Sequence, residues 1–361
     1  IDLVEDKKGN DTTFQTDGFG QTRQRVSPDT GTTTYTYDEA GNVKTMTDAR
    51  GKLTTYTYDA LNRRAHADFA DGSSYVYTYD TGRAGYLYRV TDSSGTTTFN
   101  RNHAGEVTSK VAVVSGTTMT TTLYRDVMGR VERITYPGGT NVYYTFDVNG
   151  DVSRVEVQHT SFSRRNLASN ITYKPFGPMT SLTYGNGEAL SRSYDNDYRL
   201  TALSSGTVVN RNYSYNATNT VSSIIDSATS QNRTYSYDTL DRLSSYGGPV
   251  GTHAFLYDAN DNRTRKTVSG AITNFNNAST SNRLNTLSGA LSQSRSYDNN
   301  GNTTAIGAEV LTYSDANRLA TYRPTAGGTQ TSYTYNGLGE RVYKSRSGFN
   351  QRFVYGGGAR L

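Results

Sequence analysis

The chain contains no cysteine, which excludes a disulfide framework, a thiolate nucleophile and a thiolate metal site. It has no apolar run approaching the roughly 18 residues of a membrane-spanning helix. Tryptophan is absent, proline occurs six times, and only 34% of the residues are hydrophobic. Typical soluble domains are about 45–50% apolar, so 361 residues of this composition cannot fill one or two compact cores. One-sided charge is missing too. The net charge of +5 comes from 37 basic and 32 acidic residues interspersed along the chain, with clusters no denser than Arg63-Arg64 and Arg164-Arg165. Such a pattern implies solvated arginine and no specific nucleic-acid partner. The first ten residues are polar, show no signal-peptide pattern and include no initiator Met, so the chain is expected to be a fragment of a longer polypeptide.

Aromatics are abundant, with 30 Tyr and 11 Phe, far too many for a disordered chain. They repeat. Tyr35-Thr-Tyr37-Asp38 returns as Tyr56-Thr-Tyr58-Asp59 and Tyr77-Thr-Tyr79-Asp80, each 21 residues after the last. Looser copies end on Asp147, Asp195 and Asn216, and then on Tyr235-Ser-Tyr237-Asp238, Tyr257-Asp258, Tyr297-Asp298 and Tyr333-Thr-Tyr335-Asn336. A second half-motif follows within five residues, as in Gly41-Asn42-Val43, Gly129-Arg130-Val131 and Asp241-Arg242-Leu243. Degenerate copies included, the array amounts to roughly 17 units over residues 1–361, the last truncated at Tyr355–Leu361.

One unit reads as a β-hairpin. Tyrosines at i and i+2 of a strand share a face. Asp-x-x-Gly-Asn or Asp-x-x-Asn-Arg then supplies turn chemistry, because Asp bonds back to nearby N–H groups and Gly or Asn accepts positive φ. A strand of Val or Leu followed by alternating Thr and Ser runs out to a second turn, such as Asp71-Gly72 or Asn186-Gly187. Stacked hairpins would place tyrosines in a ladder, where each ring is buried and its hydroxyl stays polar. The fold class expected is therefore all-β, an antiparallel sheet of tandem hairpins.

The Tyr-x-Tyr-Asp-x-x-Gly-Arg-Leu hairpin at this period resembles the YD repeat of Rhs proteins, of the B and C components of insecticidal Tc toxins, and of teneurins. The likeness runs from about Phe14 to Leu361. It implies a long sheet that curves spirally into a hollow shell, which in bacterial members encloses a variable C-terminal toxin. The chain departs from the pattern where Asn102, Lys174, Asn216, Ser314, Asn336 and Gly356 replace the acidic residue, which reads as drift in a turn former. It also lacks any Asp-Pro dipeptide, where the bacterial family has a cleavage segment after the repeats. The cleavage segment and toxin are thus expected either to lie beyond Leu361 or to be missing.

Nothing in the sequence gathers catalytic chemistry. His66, His103, His159 and His253 are dispersed, with no paired spacing for a metal. No Gly-x-Ser-x-Gly elbow is present. Asp258-Ala-Asn-Asp-Asn262 lacks the Gly and Glu of a calcium loop, and Gly356-Gly-Gly358 lacks the Lys-Ser/Thr of a phosphate loop. No enzyme activity, metal or cofactor is expected, and the residues singled out are structural.

About 34 strands at about 4.8 Å give a ribbon roughly 160 Å long, a turn or so of a spiral about 50 Å across. The expected function is a structural scaffold, a wall segment that encapsulates a C-terminal toxin for delivery in bacterial competition. The alternative is a cell-surface adhesion or carbohydrate-binding module. Expected partners are the downstream core and toxin, neighbouring repeats, and secretion machinery or surface glycans. The expected location is secreted or at the cell surface.

Overall fold

The structure, a computed structural model, describes residues 2–356. The truncated unit at Tyr355–Leu361 thus lies mostly outside the described residues. Among those described are 34 strands, from Leu3–Glu5 to Phe349–Arg352, and no helix. Strands take up more than half of them. Every pairing described is antiparallel and joins strands adjacent in the chain.

Alternation within each strand explains the composition. In Gly31–Tyr37, Thr33 is buried and Tyr35 and Tyr37 are half-buried, while Thr32, Thr34 and Thr36 face solvent. A sheet built this way needs one modest apolar face and no thick core. Only twelve hydrophobic side chains are buried among the described residues, and the cluster of Ala112, Val114, Met119 and Val342 stands out.

Turns alternate between two edges. One edge carries the Tyr-x-Tyr-Asp turns, such as Asp38–Asn42, and the other carries turns such as Ser27–Gly31 and Asp48–Lys52. Just before each motif turn the register slips by one residue, between Thr36 and Tyr37, Thr57 and Tyr58, Ser214 and Tyr215, and Thr334 and Tyr335. The slip is a β-bulge that bends the strand and re-aims the second tyrosine.

The chain divides into two compact units, Ile1–Thr121 with Tyr257–Thr264 and Thr273–Leu361, and Thr122–Leu256 with Arg265–Ile272. Within the first, late hairpins seat their motif turns on the opposite-edge turns of early ones. Asn282 donates to Asp6 and Asp29, Asn300 to Asp48 at 2.6 Å, and Arg50 to the Ser314 carbonyl at 3.0 Å, while Lys52 pairs with Asp315 at 3.1 Å. The chain therefore returns to its own beginning after about 250 residues. The second unit holds the consecutive hairpins from Val131 to Leu256. There the wholly buried Asp226 is paired with Arg211 at 2.9 Å.

Gly31 and Gly51 test this seating. Both have positive φ, but a Cβ at Gly31 would lie 2.7 Å from the Asn299 carbonyl oxygen and 2.6 Å from the Ala49 Cβ, whereas Gly51 faces open space. Gly31→Ala is expected to cost at least about 1 kcal/mol more than Gly51→Ala in chemical denaturation, on the scale of overpacking. Equal losses would mean that the late hairpins do not press on this turn.

Candidate functional site

The recurring arrangement is the motif turn. Asp38 Oδ1 accepts the N–H groups of Ala40 at 3.0 Å and Asn42 at 2.8 Å, and its Oδ2 accepts Asn42 Nδ2 at 3.1 Å. The backbone closes the loop as Asp38 N–H donates to Asn42 O and Gly41 N–H to Asp38 O. The fourth residue of the turn takes left-handed φ, +83° at Gly41 and +58° at Asn62. Asp59, Asp126, Asp147, Asp195, Asp238 and Asp258 accept the same two N–H groups, and Asp298 accepts that of Asn302. The N–H of Asn42 holds the Asp38 carboxyl below the usual carboxylate range, and that of Arg63 does the same for Asp59.

Two contacts then tie many of these turns to a neighbouring hairpin. The re-aimed second tyrosine donates its hydroxyl to a carbonyl of the preceding hairpin: Tyr37 to Thr22, Tyr58 to Val43, Tyr79 to Arg64, Tyr215 to Leu200, Tyr237 to Val221 and Tyr297 to Leu284, all at 2.7–3.0 Å. The arginine four residues after the aspartate bonds its own carboxylate and lies over the following ring. Arg63 donates to Asp59 at 2.7 Å with its guanidinium carbon 4.3 Å from the Tyr79 centroid, and Arg130 relates in the same way to Asp126 and Phe146. Tyr37, Tyr58, Tyr79, Tyr237 and Tyr335 are all half-buried, none of them fully buried or fully exposed.

The first tyrosines of the motif, Tyr35, Tyr56, Tyr77, Tyr235 and Tyr333, line the half-buried face, as does Tyr257 at the strand end. Arg64 stacks on Tyr56, and Tyr77 donates to the Gly337 carbonyl from a late hairpin. Asp80 departs from the pattern. Its loop is longer and closes on Tyr86, and Asp80 itself has φ +64°. Its carboxylate takes both Gly85 N–H and the Arg63 guanidinium, which pulls it down to about 2.

Two of the replacements at the acidic position, Asn102 and Asn336, are not simple drift. Where Asn102 and Asn336 stand, the residue four further on is Glu106 or Glu340, and the side-chain bond reverses direction. The Asn Nδ2 donates to the Glu Oε2 at 2.8 Å in both turns, while the Asn Oδ1 still accepts the backbone. Sequence reading also passed over Asp6 and Asp48, which close opposite-edge turns with the same N–H contacts. Their Asp-x-x-Gly spacing, in Asp6-Lys-Lys-Gly9 and Asp48-Ala-Arg-Gly51, is the signal that marks them.

Open clefts lie along the sheet, and in two of them polar groups of the lining are already bonded to other residues. One of about 240 Å³ in the first unit lies beside Tyr35, Met46, Tyr56 and Asp48, whose carboxylate is bonded to Arg50 and Asn300. Another of about 520 Å³ in the second unit lies beside Arg133, Tyr143 and Arg164, and there Arg164 is stacked on Tyr143 and paired with Glu156. His159 is held between Ser161 Oγ and the Gly138 carbonyl, and His253 packs edge-on against Tyr246. Among the described residues no three His, Asp or Glu side chains converge as metal ligands, and no helix is long and apolar enough to cross a membrane.

Residues 17–53 and 38–73 match the RHS Repeat family. No curated protein matches the chain by sequence. The crystal structure of TcdB2-TccC3 aligns with a TM-score of 0.83 and 18% identity over 98% of this chain and 23% of its own. The form without the hypervariable C-terminal region gives 0.80 and 17% over 95% and 22%. The Tc holotoxin pore of Photorhabdus luminescens gives 0.80 and 17% over 95% and 21%. The likeness establishes the fold, and the chain spans under a quarter of the length of those relatives.

Tyr37→Phe and Tyr58→Phe should each cost about 1 kcal/mol in denaturation, the worth of one hydroxyl–carbonyl bond. A loss no greater than that of an exposed surface change would remove the staple. Asp126→Asn should destabilise by setting two donors face to face, and adding Arg130→Glu should restore part of the loss. A double variant less stable than the single would contradict the reversible polarity. Because the depressed Asp38 and Asp59 carboxyls bind protons less readily folded than unfolded, stability should hold from neutral pH to about pH 5 and decline below about pH 4. A melting temperature that rises on acidification would reverse that sign.

Proposed function

We propose that this array of RHS repeats, which shares its fold with TcdB2-TccC3, is a structural scaffold: a wall segment of a shell that keeps a toxic C-terminal cargo from solvent and target until delivery. The observation that carries this reading is the likeness across 98% of the chain to TcdB2-TccC3, a structure also solved without its hypervariable C-terminal region. The turn chemistry supports it. The motif carboxylates, the second-tyrosine hydroxyls and many of the arginines bond the sheet itself, so the polar groups that could have attacked a substrate hold hairpins together.

A steric barrier needs closure and mechanical continuity, and no reactive group of its own. The array acts without a catalytic residue, and its partners are the cargo and core that follow it in the parent protein. The parent is delivered outside the producing cell, where enclosure has a purpose.

A passive wall is indifferent to loss of its titratable side chains. His66, His103, His159 and His253 changed together to Gln in the full-length parent should leave cargo protease-resistant and toxicity intact. An enzyme that lost a general base or metal ligand would slow by orders of magnitude. Toxicity lost with folding, release and secretion unchanged would overturn the wall reading.

A further inference from the structure

The two Asn/Glu turns raise the question of why a repeat would exchange an Asp–Arg pair for its mirror. At Asn336–Glu340 the answer lies 230 residues earlier in the chain. Lys110, 4% exposed in the strand Val107–Val114, extends its ammonium to Glu340 and meets both carboxylate oxygens at 2.9 Å. The Phe99 and Tyr355 rings flank it at 5.9 and 5.8 Å. The rest of the turn is fitted to the same early hairpins. Asn336 is 2% exposed, Gly337 N–H donates to Asp92 at 2.8 Å, and the Gly337 carbonyl accepts Tyr77. A Cβ at Gly337 would lie 2.5 Å from Val90.

We propose that the residues at the first and fifth positions of the motif turn act as an address that sets where a late hairpin seats on an early one, with Asn336/Glu340 addressed to Lys110. An Asp–Arg turn closes its own loop equally well, as Asp126 and Arg130 show, but places a cation at the fifth position. Set against Lys110 it would place a second cation beside a buried ammonium, with the turn's one carboxylate already bonded to the arginine. The reversed turn keeps both backbone contacts and turns the fifth position into a carboxylate, so one exchange solves the local and the long-range problem together. The turns at Asp59 and Asp126, by contrast, carry an arginine that stacks on the next ring. A shift of the late run by one repeat would bring a different turn to Lys110 and forfeit the pair, so the contact discriminates registers as well as attracting.

Hydrogen exchange on the whole chain tests this through the protection of segments 107–114 and 336–346. Glu340→Gln retains an acceptor for Asn336 and removes only the charge. It should speed exchange in both segments by about tenfold or more, since a buried lysine loses its counter-charge. Asn336→Asp with Glu340→Arg rebuilds the common turn and should open the same segments at least as far. Lys110→Met should then act with opposite signs, speeding exchange in the parent sequence and slowing it in the Asp/Arg variant. Unchanged protection in Glu340→Gln, or the same sign for Lys110→Met in both backgrounds, would overturn the address. If the Asp/Arg variant does not fold, Glu340→Gln and Lys110→Met in the parent sequence decide alone, and unchanged protection in either overturns it.

Discussion

A carboxylate or amide oxygen that accepts two backbone N–H groups of its own turn is the contact on which the rest of this molecule depends. At Asp38, Asp59, Asp126 and Asp238 that oxygen fixes the path of five residues, so the following strand leaves in a defined register. The bulge before the turn then has a fixed partner, and the tyrosine it re-aims reaches the previous hairpin's carbonyl. Remove that one acceptor oxygen and the tyrosine staple and the arginine stack lose their geometry as well. Stability is thus spread over many small, repeated bonds and is not gathered in a core.

The spreading accounts for the composition. Twelve buried hydrophobic side chains among the described residues could not hold a globular domain of this size together. Here each hairpin needs only its neighbour, and half-buried tyrosines supply apolar area while their hydroxyls cap carbonyls. Threonine does the same on the exposed face, where Thr36 and Thr45 bond at 2.6 Å across adjacent strands.

The hairpin itself was legible, because alternation of period two and an Asp-x-x-Gly spacing are local signals that one strand and one turn carry entirely. Three things were not. The bulge leaves no composition of its own, since Thr-Tyr-Asp reads the same with or without a register slip. The loop after Asp80 was hidden because the motif before it is perfect and the two extra residues come after it, so that the loop closes on Tyr86. Contacts such as Asn300 with Asp48 or Glu340 with Lys110 join residues over 200 apart, and a 21-residue repeat predicts only nearest neighbours. Asn336 and Glu340 looked like drift for that reason: the exchange makes sense only against a partner that periodicity cannot locate.

The return of the chain onto its first hairpins after about 250 residues also has a consequence in time. Each hairpin is local and closes within microseconds, so the early array can form as it leaves the ribosome. Its outer turns cannot be finished then. At synthesis rates of about 5–20 residues per second, Asp48, Arg50 and Asp92 wait roughly 12 to 50 s before Asn300, Ser314 and Gly337 exist to meet them. During that interval the nascent array is a half-made surface whose polar turns are matched to partners not yet translated, and the late hairpins that carry Asn300, Ser314 and Gly337 decide when those turns are closed.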